Sequence, residues 1–324
     1  MTRARTGGGR FRVDGAASDM RLDSFVGRSL GVSVAEGRRL IATGAVRVDG
    51  RPAPKGARVI AGAVVDIEPH ADRAAPVLPD GSLAIRFIYE DEDLVAIDKP
   101  AGVPSHPLLP DELGTVANAV VLRYPECAAA STDAREGGLG HRLDTATSGV
   151  LIAARSRHAW QALRRALGAA TCEKRYLCEV WGAPPETGGI DAEIGRVGRR
   201  GRRVRTDGGR HPRPAETRWT VIARGSSTTL IEARLHSGRP HQVRVHLASA
   251  GFPIVGDDRY GAKSASGAVP GAQGAVEAAV ENAAEPSRLH LHAVSVRLVH
   301  PTKGTELLIE APPPAWAAVF VRAL

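Results

Sequence analysis

The spacing of apolar residues separates the chain into two parts. In the first part, residues 19–70, apolar positions from Arg21 to Leu30 recur with helical spacing. Ser33 and Glu36 then stand at the spacing of a capping box, which predicts a second helix that ends at Gly44. The remainder of this part alternates apolar and polar residues between turn signals, which predicts short strands. We therefore expect a small α/β module here.

The second part, residues 84–324, predicts a larger α+β domain. Two strand-like runs, 85–89 and 94–97, flank an acidic turn, and residues 115–122 have helical character. Residues 71–83 contain proline and glycine and predict a linker between the two parts. Residues 264–287 are rich in alanine and glycine and predict a surface insertion with a short helix at 276–284.

Composition excludes several classes of protein. Hydrophobic residues make up 43% of the 324 residues, which favours a folded chain. Three cysteines, Cys127, Cys172 and Cys178, show no CxxC spacing, which argues against a disulfide framework and a cysteine zinc site. The sequence has neither a run of about 20 apolar residues nor an apolar signal segment, so we expect a cytoplasmic protein.

Positive charge is concentrated in two tracts. The formal net charge is +8, and residues 196–213 alone hold eight arginines and one acidic residue. Residues 1–18 add four arginines among glycines and predict a flexible basic tail. Glycine-rich arginine tracts suit polyanions because guanidinium groups pair bidentately with phosphate. We predict that the 196–213 segment is an arginine-rich loop that contacts nucleic acid.

A polar segment that leads into an apolar strand carries the clearest chemical signal. It runs from Gly140 to Arg155 and places Asp144 on a loop before the strand, a common position for a catalytic group. An aspartic protease would need glycine where Ala146 stands, and a second copy of the motif. A serine nucleophile elbow would need glycine at Ala146, two residues before Ser148. Both alternatives are excluded.

This segment resembles the signature of the RluA-type pseudouridine synthases. That signature runs His-Arg-Leu-Asp, two variable residues, Thr-Ser-Gly and an aliphatic strand, as in residues 141–152. The helices and hairpin of residues 20–67 resemble the S4-like RNA-binding module. Further stretches that resemble family elements are Lys99-Pro100-Ala101-Gly102, His106-Pro107, Lys174-Arg175-Tyr176, Gly238 to His246, Pro253 to Asp257, Tyr260-Gly261, Leu291-His292-Ala293 and His300-Pro301.

The resemblance implies an RNA isomerase with no metal and no cofactor. It implies an α+β catalytic domain with a bent, mixed, mostly antiparallel sheet flanked by helices, behind the S4-like module. Asp144 is implied as the nucleophile and Arg244 as its charged partner. Tyr176 is implied as the ring that packs on the flipped uracil, with help in removing the C5 proton as a further role. The positions implied to contact substrate RNA are His141, Arg142, Arg38, Arg39, Arg47, Lys174, Arg239, His241 and Gln242.

Several alternatives stay open on the sequence alone. The S4-like module favours large-subunit (23S) ribosomal RNA over transfer RNA as the substrate, and we expect a monomer. A catalytically silent RNA-binding factor for ribosome assembly would not need Asp144, Tyr176 and Arg244 together. A glycosidase or nucleoside hydrolase would need a second positioned acid, which no motif supplies. Two histidines at strand spacing, His290 and His292, raise the question of a metal site, but no carboxylate or cysteine stands at supporting spacing.

Overall fold

The chain divides into two compact units. One contains Met1–Ala75 with Leu109–Asp111, and the other contains Pro76–Leu108 with Glu112–Leu324. The proposed insertion at 264–287 lies outside the described residues. The computed structural model describes residues 5–6, 8–68, 70–71, 76–109, 111–197, 203–261 and 289–321.

The two helices expected in the first unit are present. Helix α1 is Leu22–Leu30 and helix α2 is Val34–Ala42. The Ser33 hydroxyl accepts a hydrogen bond from the backbone N–H of Glu36, as an N-cap should. The helices approach closely at Gly37, where an added Cβ would lie 2.3 Å from the carbonyl oxygen of Asp23. Glycine is required there because the two backbones leave no room for a side chain.

A four-stranded antiparallel sheet completes the first unit, with strand order β2-β5-β3-β4. A separate pair, β1 with β6, joins the two ends of the unit. The strands are β1 (Arg5–Thr6), β2 (Gly9–Arg12), β3 (Val46–Val48), β4 (Arg51–Pro52), β5 (Val64–Ile67) and β6 (His70–Ala71).

The expectation of a flexible tail is wrong for residues 9–17. Strand β2 pairs with β5 along its whole length, and a 3₁₀ turn follows at Gly15–Ala17. Val13 is buried in the apolar core of this unit, together with Leu22 and Val65. The apolar residues of this segment are few and stand among arginines and glycines, so its composition did not indicate a strand. Pairing with β5 stabilises the strand.

A larger mixed sheet forms the second unit. Among the described residues it has nine strands, in the order β11-β15-β16-β10-β17-β9-β8-β7, with β18 paired to β17. Only β9 with β17 is parallel, so the expected mixed and mostly antiparallel sheet is confirmed. The strands of this unit are β7 (Arg86–Glu90), β8 (Leu94–Lys99), β9 (Ser148–Ala154), β10 (Glu173–Trp181), β11 (Thr187–Asp191), β12 (Ile194–Val197), β13 (Arg203–Arg205), β14 (Arg210–Arg213), β15 (Glu216–Arg224), β16 (Thr228–Leu235), β17 (Leu291–Val299) and β18 (Glu306–Glu310).

Helices cover both faces of this sheet. The side chains of β9 are buried on both faces. Those of Val150, Ile152 and Ala154 pack in a core with Trp160 and Leu163, whereas the alternate residues pack in a second core. A strand buried on both sides reads as a continuous apolar run, as this one does. No helix within the described ranges is long and apolar enough to cross a membrane. The helices are α3 (Val116–Arg123), α4 (Arg157–Gly168), α5 (Gln242–Ser249) and α6 (Ala315–Val321).

The arginine-rich segment is a small sheet where a loop was expected. Strands β12, β13 and β14 pair antiparallel in the order β13-β12-β14, and residues 198–202 between them lie outside the described residues. Ile194 and Val204 are buried in a cluster with Val245 of α5. Because many arginines surround Ile194 and Val204, the sequence did not indicate that these two residues are buried.

The second half of the predicted linker, residues 76–83, belongs to the second unit. Val77 is buried, and its backbone N–H donates to the carbonyl of Ala134. The amide of Asn118 donates to the carbonyl of Leu78. The connection between the units therefore ends at Pro76, earlier than the sequence indicated.

Gly149 is expected to tolerate no side chain. Its φ is 108°, and an added Cβ would lie 2.2 Å from the carbonyl oxygen of Ala293 in β17. We predict that Gly149→Ala lowers the free energy of unfolding by about 3 kcal/mol, measured by urea denaturation. The control is Gly168→Ala in α4, where an added Cβ meets nothing within 4 Å. That variant should be as stable as the wild type or slightly more so; equal behaviour of the two variants would contradict the prediction.

Candidate active site

Asp144 lies in a tight loop before β9. Its backbone carbonyl accepts a hydrogen bond from the N–H of Thr147 at 3.0 Å. The preceding residue, Leu143, is fixed at both backbone groups by the Ser105 hydroxyl, at 3.1 Å and 2.8 Å. The carboxylate thus stands on a rigid support beside a buried strand, where the sequence placed it.

Lys99 holds the same loop through hydrogen bonds to its backbone. Its ammonium donates to the carbonyls of Pro100, Val103 and Thr145 at 2.9, 2.6 and 3.0 Å, and its side chain is fully buried. Burial lowers the pKa of Lys99 to about 7, while the charge of Asp144 opposes that shift. The three acceptors match the three donors of an ammonium group, so Lys99 ties the Asp144 loop to the end of β8.

The structure brings Arg244 to Asp144. Arg244 lies on α5, and its Nη1 is 3.1 Å from Oδ2 of Asp144. The arginine side chain is 5% exposed, whereas that of Asp144 is 21% exposed and reachable by a substrate. The guanidinium of Arg244 therefore forms a charge-assisted pair with the Asp144 carboxylate and fixes its orientation.

Asp257 holds the other side of the Arg244 guanidinium. Its two carboxylate oxygens accept from Nε and Nη2 of Arg244 at 2.8 and 2.7 Å, and its side chain is 0% exposed. Burial raises the pKa of the Asp257 carboxyl, but the hydrogen bonds and charge of Arg244 outweigh it, so that pKa lies below its usual value. This bidentate pair fixes the direction in which Arg244 points. The sequence motifs did not indicate Asp257 as a site residue.

His241 and Tyr260 close the site around the arginine. Nδ1 of His241 is 3.2 Å from Oδ2 of Asp144 and accepts from Nη1 of Arg244 at 3.1 Å. Its φ of 55° lies in the left-handed region, which is uncommon for a residue other than glycine. The ring of Tyr260 lies edge-on to His241 and against the Arg244 guanidinium. Burial lowers the pKa of His241, so the imidazole is neutral and serves as an acceptor.

Tyr176 lies on β10 between two apolar clusters. It packs in part against the cluster around Ala293 and in part against the cluster around Ala233. Burial, and then the charge of Asp144, raise the pKa of the Tyr176 phenol well above its usual value. The ring is therefore neutral at physiological pH, which suits packing against an uncharged base.

Two of the predicted RNA-binding residues have buried side chains. Lys174 is 6% exposed, and its ammonium donates to the carbonyl of Leu167 in the last turn of α4. Gln242 is 3% exposed, and its amide is bonded to the backbone of Arg239 and of Glu216. Both side chains stabilise the fold because their polar groups are satisfied inside it.

His141 also makes an internal contact. Its Nε2 accepts from the backbone N–H of Ile152 in β9 at 3.2 Å. Burial lowers the pKa of His141 to about 3, and the charges of Lys174 and Arg164 act in the same direction. The neutral ring supports the strand behind Asp144, and its contact with RNA stays a prediction.

The remaining predicted RNA contacts are accessible. Arg142 is exposed beside Asp144, and Arg239 is partly exposed with its Nε bonded to the carbonyl of Pro214. In the first unit Arg38 pairs with Asp23, Arg39 pairs with Glu36, and Arg47 is exposed on β3.

The histidines considered as metal ligands have other partners. Nδ1 of His290 bonds Glu179 at 2.6 Å, and its ring stacks on Trp316. Nδ1 of His292 bonds the Ser148 hydroxyl at 2.8 Å. Within the part of the chain that the structure describes, no group of three or more His, Cys, Asp or Glu side chains could hold a metal ion.

Comparison with known proteins identifies the family. The family model for RNA pseudouridylate synthases matches residues 93–249, and that for the S4 domain matches residues 20–65. The chain is 34% identical over 305 residues to an uncharacterised RNA pseudouridine synthase of Mycobacterium bovis, covering 93% of each chain. The chain belongs to the RluA-type RNA pseudouridine synthases. It is therefore an isomerase that acts on RNA, as the sequence motifs indicated.

Two further comparisons agree with this family. The chain is 35% identical over 276 residues to the ribosomal large subunit pseudouridine synthase D of Xanthomonas campestris, covering 85% of this chain and 79% of the relative. The solved structure of human RNA Pseudouridylate Synthase Domain Containing 1 has a TM-score of 0.54 at 24% identity, covering 73% of this chain and 86% of that one. The latter shows the same fold.

Proposed function

We propose that this synthase converts specific uridines of the large-subunit (23S) ribosomal RNA to pseudouridine. Support for this substrate comes from the relatives named ribosomal large subunit pseudouridine synthase D, which match at about one-third identity. The observation that carries the catalytic assignment is the chain of contacts from Asp144 through Arg244 to Asp257. Transfer RNA is the alternative substrate.

The proposed reaction uses Asp144 as the nucleophile. It breaks the C1′–N1 bond of a flipped uridine and forms a C1′–C5 bond; C5 loses its proton and N1 gains one. No atom is added and no oxidation state changes, so the chemistry needs no cofactor. The target base must first leave its stack. Arg244 pairs with the carboxylate and orients it, and Asp257 holds Arg244.

We propose that Tyr176 packs on the flipped base and does not act as its base catalyst. A phenol whose pKa is raised by burial and by Asp144 is a weak proton acceptor at neutral pH. The ring instead offers a flat apolar surface beside the nucleophile.

We also propose that residues 19–70 bind RNA through the surface that carries Arg38, Arg39 and Arg47. Surface guanidinium groups position RNA by contacting its phosphates, without selecting a base. Because its proposed substrate is ribosomal RNA, we place the protein in the cytoplasm and expect it to act as a monomer.

Pseudouridine mapping tests the substrate. We expect that deletion of the gene removes pseudouridine from one or a few large-subunit ribosomal RNA positions, and that the wild-type gene restores them. A gene encoding Asp144→Asn is the control and should not restore them. Loss of pseudouridine confined to transfer RNA would replace the proposed substrate, and an unchanged map of both RNAs would refute the proposal.

A further inference from the structure

A small cleft lies between the arginine-rich sheet and the loop before α5. Its volume is about 90 Å³. It opens beside residues Gly238-Arg239-Pro240, which directly precede His241, the N-cap residue of α5. The residues that line the cleft are Ile194, Arg196, Val204, His211, Arg213, Gly238, Arg239 and Pro240.

Three arginines line the cleft and give it positive charge. Arg196 and Arg213 are exposed on neighbouring strands, and Arg239 faces them from the loop. Among the described residues, none of these three arginines forms an ion pair with an acidic side chain, whereas Arg205 on the same sheet pairs with Asp207. Unpaired arginines that converge on one cleft form a binding site for an anion.

The cleft is held rigidly to the catalytic helix. The backbone N–H of Val204 donates to the hydroxyl of Tyr260, whose ring contacts Arg244. The side chain of Val204 packs in one cluster with Val245, the residue after Arg244. An anion bound in the cleft therefore has a fixed position relative to the nucleophile.

We propose that this arginine cleft binds a backbone phosphate of the substrate RNA. The proposal rests on the proposed function and adds a specific subsite to it. Arg196 and Arg213 contribute the charge and the hydrogen-bond donors, and Arg239 completes the cleft from the side of the active site. A phosphate held there orders the RNA backbone near the flipped uridine and carries no base specificity, because phosphate is common to every nucleotide.

The test is the double variant Arg196→Gln/Arg213→Gln. We expect its affinity for an in vitro transcript of large-subunit ribosomal RNA to fall about tenfold, the loss of about one charge-assisted hydrogen-bond pair. The slope of log affinity against log salt should become shallower by about 0.7 to 0.9, the value for one phosphate contact.

The matched control removes the same charge elsewhere. Arg224→Gln/Arg297→Gln also deletes two arginines, each of which pairs with an exposed glutamate away from the cleft. We expect nearly wild-type affinity and salt slope. An equal loss in both double variants would show that only net charge matters, and unchanged binding by the cleft variant would also overturn the proposal.

The experiment distinguishes failure of the proposed function from failure of the cleft proposal. If the wild type binds the transcript but forms no pseudouridine in it, the proposed substrate is wrong while the cleft is still tested by affinity and salt slope. Thermal melting of each variant identifies a loss that comes from unfolding. The variant Arg196→Lys/Arg213→Lys keeps the charge and should have the salt slope of the wild type. A shallower slope in this variant, if it is folded, would contradict a phosphate contact.

Discussion

Replacement of Asp144 by Asn should abolish pseudouridine formation, with kcat lowered at least about 10⁴-fold, as for other catalytic nucleophiles. The amide keeps the shape of the side chain but cannot act as an anionic nucleophile. RNA affinity should stay within about twofold of wild type, because the side chain is only partly exposed and the predicted RNA contacts lie on other residues. Product formation and RNA binding are measured on the same ribosomal RNA transcript.

Thr145→Ala is the control for this prediction. Thr145 is the exposed neighbour of Asp144, and only its backbone carbonyl contacts Lys99. Alanine keeps that carbonyl, so kcat should change by less than about twofold. Turnover by Asp144→Asn at the wild-type rate would remove Asp144 from the mechanism.

Replacement of Asp257 by Asn should lower both stability and activity. The variant removes the buried carboxylate charge that pairs with Nε and Nη2 of Arg244 and leaves only the partly exposed Asp144 and the exposed Asp258 as acidic partners. Loss of one partner of a buried ion pair costs about 3 kcal/mol or more. We expect the free energy of unfolding, measured in urea, to fall by about 3 kcal/mol. Arg244 also loses its fixed orientation toward Asp144, so we expect kcat to fall about 100-fold.

Asp258→Asn is the matched control for Asp257→Asn. Asp258 is the next residue, and its carboxylate lies 3.5 Å from the same guanidinium, but it is 81% exposed. Exposed ion pairs contribute little, so this variant should lose less than about 1 kcal/mol and keep its activity. Equal effects of the two substitutions would show that proximity to Arg244 matters and the buried bidentate pair does not.

The sequence predicted that Asp144, the proposed nucleophile, lies on a loop before a buried strand, because the signal is local. The segment around Asp144 combines glycine, a polar loop and an apolar strand in consecutive residues, so its turn and its support follow from neighbouring positions. The helices of the first unit were predicted for the same reason, through the Ser33 cap and the apolar spacing of α1.

Predictions failed where the outcome depended on residues distant in the chain. Strand β2 exists because β5 pairs with it, and the arginine-rich sheet is anchored by Val245, about forty residues beyond Val204. The burial of Lys174 and Gln242 was also not evident from the sequence, because each donates to a backbone carbonyl of another segment, Leu167 for the first and Glu216 for the second.

The sequence by itself determined the family and predicted the two-part organisation and Asp144 as the proposed nucleophile, since each of these follows from motifs that are contiguous along the chain. The tertiary structure alone decided which side chains act together. It placed Asp257 opposite Asp144 on the two sides of Arg244, and it buried the first while leaving the second accessible. Charge compensation and burial are set by packing between distant segments, so no local spacing can encode them.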